Sequence, residues 1–145
     1  MLSFGNNKFF NSFNFINMTN VDLVKEVYSF LASGKVPEAL ALFDTAIEWH
    51  ECKGMPFVKG DGVFKGPQSV VTNVFMQLPV CYGGFNISVS EIFGVDDKVV
   101  MVGYYQGTNK VTGNPFKANA THVWTVKNGK MIHFFQAVDT ATANN

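Results

Sequence analysis

The last third of the chain constrains the fold most, because it contains two long strand-like segments joined by a specific turn. Residues 116–127 (FKANATHVWTVK) and 130–139 (KMIHFFQAVD) are separated only by the pair Asn128-Gly129. Asn-Gly readily supplies the two positive φ angles of a type I′ turn, so the sequence predicts a β-hairpin. In the first segment, alternation places His122 and Trp124 on the same face of the strand.

The segments before this hairpin complete a pattern of helices followed by strands. Residues 85–95 and 98–109 read as two more long strands. Earlier in the chain the sequence predicts three helices, at residues 21–33, 37–43 and 67–78, and a first strand at residues 45–52. Helices followed by consecutive strands indicate an α+β fold. We therefore expect three N-terminal helices packed on a strongly curved antiparallel sheet, which forms a cone with an apolar cavity.

Composition limits the possible partners. The formal net charge is zero, with 11 basic and 11 acidic residues, which argues against binding to nucleic acid and against electrostatic docking to a membrane. The two cysteines, Cys52 and Cys81, fit neither a disulfide framework nor a metal motif, so a reducing, cytoplasmic location is expected. Residues 1–17 lack the periodicity of a packed element and are predicted to be an arm or extension before a single domain at residues 18–145.

The sequence resembles a known family over residues 21–142. The resemblance is carried by LFDTAIEWHE at residues 42–51, KGPQSV at 65–70, TGNPF at 112–116 and, most strongly, HVWTVKNGKMIHFFQAVDT at 122–140. These segments are similar to SnoaL-like polyketide cyclases and their ketosteroid-isomerase relatives, which have the nuclear-transport-factor-like, cystatin-like α+β cone fold. The resemblance specifies the fold better than the reaction, because one fold hosts many activities.

The resemblance also implies site residues. Ketosteroid isomerases use a carboxylate at the end of the first strand as general base, and a count without gaps places Glu51 at that position. Their tyrosine on helix one corresponds by count to Val27, with Tyr28 one residue away. The third long strand has no clear counterpart of their second carboxylate, so steroid isomerisation itself is not expected. SnoaL-type cyclases use a histidine and an aspartate on late strands, which His122 and Asp139 match by region.

Each candidate also has a structural interpretation. His122 is either a general acid or base in the cavity or a satisfied core or interface histidine. Asp139 either orients His122 at the cavity mouth or caps the last turn of the chain. Glu51 is either a desolvated base with a raised pKa or a solvated strand end.

The remaining candidates are aromatic walls of a ligand pocket, which are equally consistent with an ordinary core. His50 and His133 are expected to face away from the pocket, at the outer sheet surface or a dimer contact. The cysteines and histidines show no metal-ligand spacing, so neither a metal nor a cofactor is expected. The predicted wall residues are Tyr28, Trp49, Tyr105, Trp124 and Phe135.

Two functional hypotheses remain open. The first is a small cofactor-free enzyme that moves a proton α to a carbonyl, in a cyclisation or isomerisation of an apolar cyclic small molecule. The second is a non-catalytic module of the same fold that binds a small molecule or dimerises. A homodimer is expected in either case, because helices on one side of a curved sheet leave the other side uncovered.

Overall fold

The computed structural model describes residues 18–145, so the predicted arm at residues 1–17 lies outside the described residues. Helices are interspersed with the first two strands as far as residue 81, and four long strands then follow one another. The helices are α1 (Asn20–Ala32), α2 (Val36–Leu40), α3 (Pro67–Val70), α4 (Leu78–Cys81) and α5 (Thr140–Ala143), and a π-helical turn (Val71–Phe75) continues α3. The strands are β1 (Phe43–His50), β2 (Val63–Lys65), β3 (Tyr82–Val95), β4 (Lys98–Asn109), β5 (Pro115–Lys127) and β6 (Lys130–Val138).

Local sequence determines both ends of α1. The Thr19 hydroxyl accepts a hydrogen bond from the backbone N–H of Asp22, and the Asp22 carboxylate accepts from Thr19 in return, which forms a capping box. Gly34 follows the helix with a φ of 71°, a conformation that glycine adopts without steric cost. The apolar face of α1 is buried against the sheet, as its periodicity predicts.

The third predicted helix is interrupted. We expected one helix over residues 67–78, ended by Pro79. Instead α3 passes into a π-helical turn that buries Val74, and Pro79 lies in the first turn of the separate helix α4. Proline is tolerated in a first helical turn because the N–H groups there have no intrahelical partner.

The sheet confirms the predicted α+β class and has six strands in the order β2-β1-β6-β5-β4-β3. All neighbouring pairs are antiparallel except β1 and β6, which run parallel, so the sheet is mixed rather than wholly antiparallel as expected. The four consecutive strands are joined by short turns and must alternate in direction. β1 is not joined to β6 by a turn, so its direction was not fixed by the same argument.

The hairpin of β5 and β6 carries an irregularity that matters for the site. Its turn has positive φ at both central residues, 50° at Asn128 and 73° at Gly129, as predicted. Further along, Val126 pairs with Met131 whereas Thr125 pairs with His133, so β6 contains one extra residue. This β-bulge shifts the alternation of β6 relative to that of a regular strand.

Two clusters of buried side chains fill the space between the helices and the sheet. One is built around Trp49, Trp124 and Phe134 under α1, and the other around Tyr82 and Tyr105 near α4 and α5. The candidate site lies where these clusters meet. None of the helices in residues 18–145 is long and apolar enough to cross a membrane.

Candidate active site

A cavity opens between the helices and the concave face of the sheet, and it has two adjoining chambers. The outer chamber has a volume of about 340 Å³. The inner chamber has a volume of only about 30 Å³, enough for one or two water molecules at the ~10–15 Å³ that each requires. The two chambers share a border of six mainly apolar side chains: Tyr28, Leu31, Phe75, Leu78, Phe85 and Ile87.

The floor of the inner chamber is polar although it is almost wholly removed from solvent. Glu51, Tyr105, His122 and Gln136 all line it, and each is at most 6% exposed. Glu51 directly follows β1, while the other three project from neighbouring strands β4, β5 and β6, where His122 pairs with Gln136. The sheet register therefore brings together four polar groups that are distant in sequence.

Glu51 is held by two hydrogen bonds. The indole Nε1 of Trp49 donates to Oε2 at 2.7 Å, and the side-chain amide of Gln136 donates to Oε1. Burial raises the pKa of the Glu51 carboxyl to about 7, although both hydrogen bonds act to lower it. Desolvation prevails because it disfavours the charged form more than two donors favour it. Glu51 is thus divided between its neutral and ionised forms near neutral pH.

His122 is fixed between two tyrosines. The Tyr28 hydroxyl lies 2.7 Å from Nδ1, and the Tyr105 hydroxyl lies 2.6 Å from Nε2. The single proton of Tyr105 is donated to Gln136 Oε1 at 2.5 Å, so Nε2 of His122 must be the donor to Tyr105. Nδ1 then accepts from Tyr28, whose oxygen accepts from Trp124 Nε1 at 2.8 Å.

The result is one hydrogen-bond chain of a single direction that ends on the Glu51 carboxylate. Burial lowers the pKa of His122 to about 3, so its ring is neutral at physiological pH. Burial likewise raises the pKa values of Tyr28 and Tyr105, which keeps both hydroxyls protonated. The ionisable residues of this hydrogen-bond chain are Tyr28, Glu51, Tyr105 and His122. Of these four, only Glu51 changes its charge near neutral pH.

Most of the residues predicted from sequence meet in this place. The inner chamber is lined by Tyr28, Trp49, Glu51, Tyr105, His122 and Trp124. Tyr28, rather than the Val27 suggested by counting, places its side chain at the cavity, while Val27 is completely buried in the core. The two exceptions are Asp139 and Phe135.

Asp139 does not orient His122. It is exposed and caps α5, where its carboxylate accepts from the backbone N–H of Thr142 at 3.1 Å and from the Thr142 hydroxyl at 2.6 Å. Both ring nitrogens of His122 already have tyrosine partners. The capping interpretation of Asp139 is therefore the one that the structure supports.

Phe135 does not line the cavity, and the bulge in β6 is the reason. Its side chain is 48% exposed on the outer face, opposite Val123. Its neighbours Phe134 and Gln136 face inward instead and line the inner chamber. Sequence reasoning missed these two residues because regular alternation along β6 from the buried Met131 places Phe135 inside, and the extra residue between Met131 and His133 reverses that set. The turn signal in the sequence gives no indication of the extra residue.

These features define a class of protein: an α+β cone whose ligand-sized apolar cavity ends on a buried carboxylate. A family model described as a SnoaL-like domain matches residues 24–134. The chain belongs to this family, as the resemblance in its sequence implied. No curated protein sequence matches the chain.

Solved structures share the fold. An NTF2-like protein from Burkholderia thailandensis is 31% identical, with a TM-score of 0.80 over 87% of this chain and 95% of that one. A protein with a cystatin-like fold from Xanthomonas campestris is 18% identical, with a TM-score of 0.76 over 88% and 96% of the two chains. TerC, crystallised with polyporic acid, is 20% identical, with a TM-score of 0.73 over 84% and 92%.

Proposed function

We propose that the protein is a cofactor-free enzyme in which Glu51 removes a proton α to a carbonyl of an apolar cyclic small molecule. The observation that carries the proposal is a carboxylate with a pKa of about 7 at the floor of an apolar cavity. A general base works best when its pKa lies near the working pH, because it is then both available and strong. Exposed carboxylates, with pKa values near 4, do not meet this condition.

The proposed step requires no group outside the protein and substrate. The Glu51 carboxylate takes the proton from carbon, and the electrons of the C–H bond move onto the carbonyl oxygen as an enolate. In an isomerisation, protonated Glu51 returns the proton to a different carbon. In a cyclisation, the enolate carbon instead attacks a second carbonyl of the same molecule, and that oxygen takes the proton.

Tyr28 is the proposed partner of the enolate oxygen. It borders both chambers, and its raised pKa keeps its hydroxyl protonated. Without substrate that proton is donated to Nδ1 of His122, so the hydroxyl would turn from His122 to the enolate oxygen during the reaction. His122 acts as a positioning residue, since its Nδ1 holds the Tyr28 hydroxyl at 2.7 Å. Gln136 positions Glu51 in the same way. An amide between Tyr105 and Glu51 does not readily pass a proton, so His122 and Glu51 are not a direct proton relay.

The outer chamber suggests the substrate class. Its volume of about 340 Å³ is at the small end of ligand pockets, and its borders are mainly apolar. A substrate with one or two rings would fill it and direct one carbonyl toward the inner chamber. Support for a small-molecule ligand also comes from TerC, which shares this fold and was crystallised with polyporic acid.

The alternative function is a non-catalytic binding module. One observation favours it: no buried polar side-chain atom within residues 18–145 lacks a hydrogen-bond partner. A chain of groups whose hydrogen bonds are all satisfied needs no catalytic role, because stabilising the fold is a sufficient one. The outer chamber could then simply hold an apolar ligand. Both functions require a ligand in the outer chamber, whereas only catalysis requires Glu51 to be ionised.

We expect α-tetralone, an uncharged bicyclic ketone, to bind in the outer chamber and to quench tryptophan fluorescence. The chain has only two tryptophans, and Trp49 and Trp124 both line the inner chamber, so the signal reports on the site itself. The double variant Leu31→Phe/Ile87→Phe narrows the chamber and should weaken binding by ~10-fold or more, which corresponds to about 1.4 kcal/mol.

Val102→Phe is the matched control, because Val102 is 37% exposed and alternation along β4 places it on the opposite face of the sheet from Met101. This variant should bind α-tetralone as the parent does. Equal quenching of the parent and the double variant would show that the ligand does not occupy the outer chamber, and both proposed functions would lose their support.

We also propose a homodimer formed through the outer face of the sheet. Phe93, Val102 and Phe135 are exposed there, at 48%, 37% and 48%. Large apolar side chains that share one face are typical of protein contacts. Light scattering at micromolar concentration should give a mass of about twice 16.0 kDa, and Phe135→Lys should reduce it to that of a monomer. A monomeric parent protein would contradict this proposal.

A cytoplasmic location is proposed on the basis of cysteine chemistry. Cys52 and Cys81 are both free thiols and only half-buried. Thiols in this state persist in a reducing compartment.

A further inference from the structure

The outer face of the sheet carries a cluster of ionisable side chains, separate from the cavity. Glu48 and His50 project from β1, two residues apart, and therefore on the same face. The parallel pairing of β1 with β6 places His133 directly opposite Glu48. The orientation of His50 and His133 away from the cavity agrees with the expectation from sequence, but their proximity to each other is not apparent in the sequence.

The three side chains converge closely. Nε2 of His50 lies 2.6 Å from Oε1 of Glu48, and the ring centroids of His50 and His133 are 4.7 Å apart. One donor atom from each of the three residues lies within 4.8 Å of the others. In the single chain the side chains of His50 and Glu48 are 32% and 41% exposed, so solvent reaches them although the sheet holds their backbones.

We propose that Glu48, His50 and His133 form a binding site for a divalent cation of the zinc class on the outer face of the sheet. Two imidazoles and one carboxylate are a ligand set that suits Zn²⁺, which binds such donors at ~2.0–2.2 Å. Donors on one tetrahedral ion then lie ~3.3–3.6 Å apart. The pair at 2.6 Å must therefore open and the wider pairs, which reach up to 4.8 Å, must close, each by about 1 Å through side-chain rotation. A water molecule would occupy the fourth position.

The choice of ion follows from the donors. Mg²⁺ and Ca²⁺ prefer oxygen ligands and would find only one carboxylate here. Two imidazole nitrogens favour Zn²⁺ and its neighbours in the transition series. The hydrogen bond between His50 and Glu48 would be replaced by bonds from both residues to the ion.

Two nearby lysine side chains oppose cation binding, but their positions limit the repulsion. The Lys65 ammonium lies 4.0 Å from Oε2 of Glu48, but its side chain is 76% exposed and free to turn toward solvent. The Lys98 ammonium is engaged by the Thr125 hydroxyl at 2.6 Å, on the strand next to His133. The site therefore carries a charge penalty that substitution of Lys65 should relieve.

An ion in this position would link β1 to β6, the one parallel pair of the sheet. His50 is adjacent to Glu51 in sequence, and His133 lies three residues before Gln136 on β6. Metal binding would thus stabilise the two elements that carry Glu51 and its amide partner. This effect on stability is independent of whether Glu51 acts as a base.

Calorimetric titration of the chelator-treated full chain with ZnCl₂ tests the proposal. We expect saturable binding of one Zn²⁺ per chain and a rise in melting temperature on binding. His133→Asn and Glu48→Gln should each weaken binding by ~10-fold or more, as even supporting residues of metal sites commonly do. Lys65→Ala should tighten binding, and Glu38→Gln, an exposed carboxylate on α2, should leave it unchanged.

Histidine ring ¹⁵N spectra identify the ligands and guard against binding through the free cysteines. On addition of ZnCl₂, the signals of His50 and His133 should shift while that of buried His122 does not. Binding that is equally strong in His133→Asn, or an unchanged His133 signal at saturating Zn²⁺, would overturn the proposal. Failure of the parent to bind Zn²⁺ more tightly than Mg²⁺ would do the same.

Discussion

The variant Glu51→Gln is expected to lose ~10²- to 10⁴-fold in the rate of proton abstraction from carbon, the usual contribution of a general base. The natural substrate is not needed for this measurement. In 5-nitrobenzisoxazole, loss of the ring proton to a base breaks the N–O bond and releases a coloured phenolate nitrile. The parent should catalyse this reaction with a rate that rises with pH and levels off above about 7, because the pKa of Glu51 is raised to that value.

The matched control is Asp139→Asn. Asp139 is exposed and caps α5, and asparagine is an equally good cap, so both the fold and the rate should be retained. Equal rates for the parent and Glu51→Gln, with α-tetralone still bound, would remove Glu51 as the base and favour the binding module. Loss of both binding and rate in Glu51→Gln would instead indicate a misfolded cavity, which circular dichroism would detect.

The variant His122→Phe is expected to change the acid stability of the fold. Native His122 has a pKa lowered to about 3 by burial, whereas the ordinary value is 6.5. Below pH 6.5 the unfolded chain binds a proton that the native state does not, so the stabilisation is lost as pH falls. Each pH unit is worth about 1.4 kcal/mol, so the parent should lose ~3 kcal/mol relative to the variant between pH 7 and pH 4.

Glu51 acts in the opposite direction, which makes the comparison specific. Its pKa is raised above the ordinary 4.5, so its contribution is present below pH 4.5 and is lost as pH rises toward 7. The two effects oppose each other between about pH 4.5 and 6.5. In this range the free energy of unfolding of Glu51→Gln should fall as pH falls, because only His122 contributes, and that of His122→Phe should fall as pH rises, because only Glu51 contributes. Urea unfolding across this range measures both. Parallel profiles for the parent and His122→Phe would contradict a buried, neutral His122.

Much of the fold could be predicted because it depends on local signals. The Asn128-Gly129 turn and the alternation of His122 with Trp124 are both determined by neighbouring residues. The family resemblance also placed Glu51 at the end of the first strand, facing the cavity. These features require no knowledge of distant contacts.

The rest depends on register and direction, which the sequence does not display. The bulge between Met131 and His133 turned Phe135 outward and brought Gln136 to Glu51, and no residue type marks it. The parallel pairing of β1 with β6 is a tertiary choice, and it alone places His133 beside Glu48. Asp139 was ambiguous because the same carboxylate suits a helix cap and a catalytic pair.

Titration of the Glu51 carboxyl itself tests the proposed general base most directly. ¹³C spectra of protein labelled at the glutamate carboxyl carbons, with the Glu51 signal assigned by its absence from Glu51→Gln, give its pKa without any substrate. We expect a midpoint near 7, because burial in the inner chamber outweighs the hydrogen bonds from Trp49 and Gln136. A midpoint near 4.5 would show that Glu51 is an ordinary solvated carboxylate, and the proposed general base would be wrong.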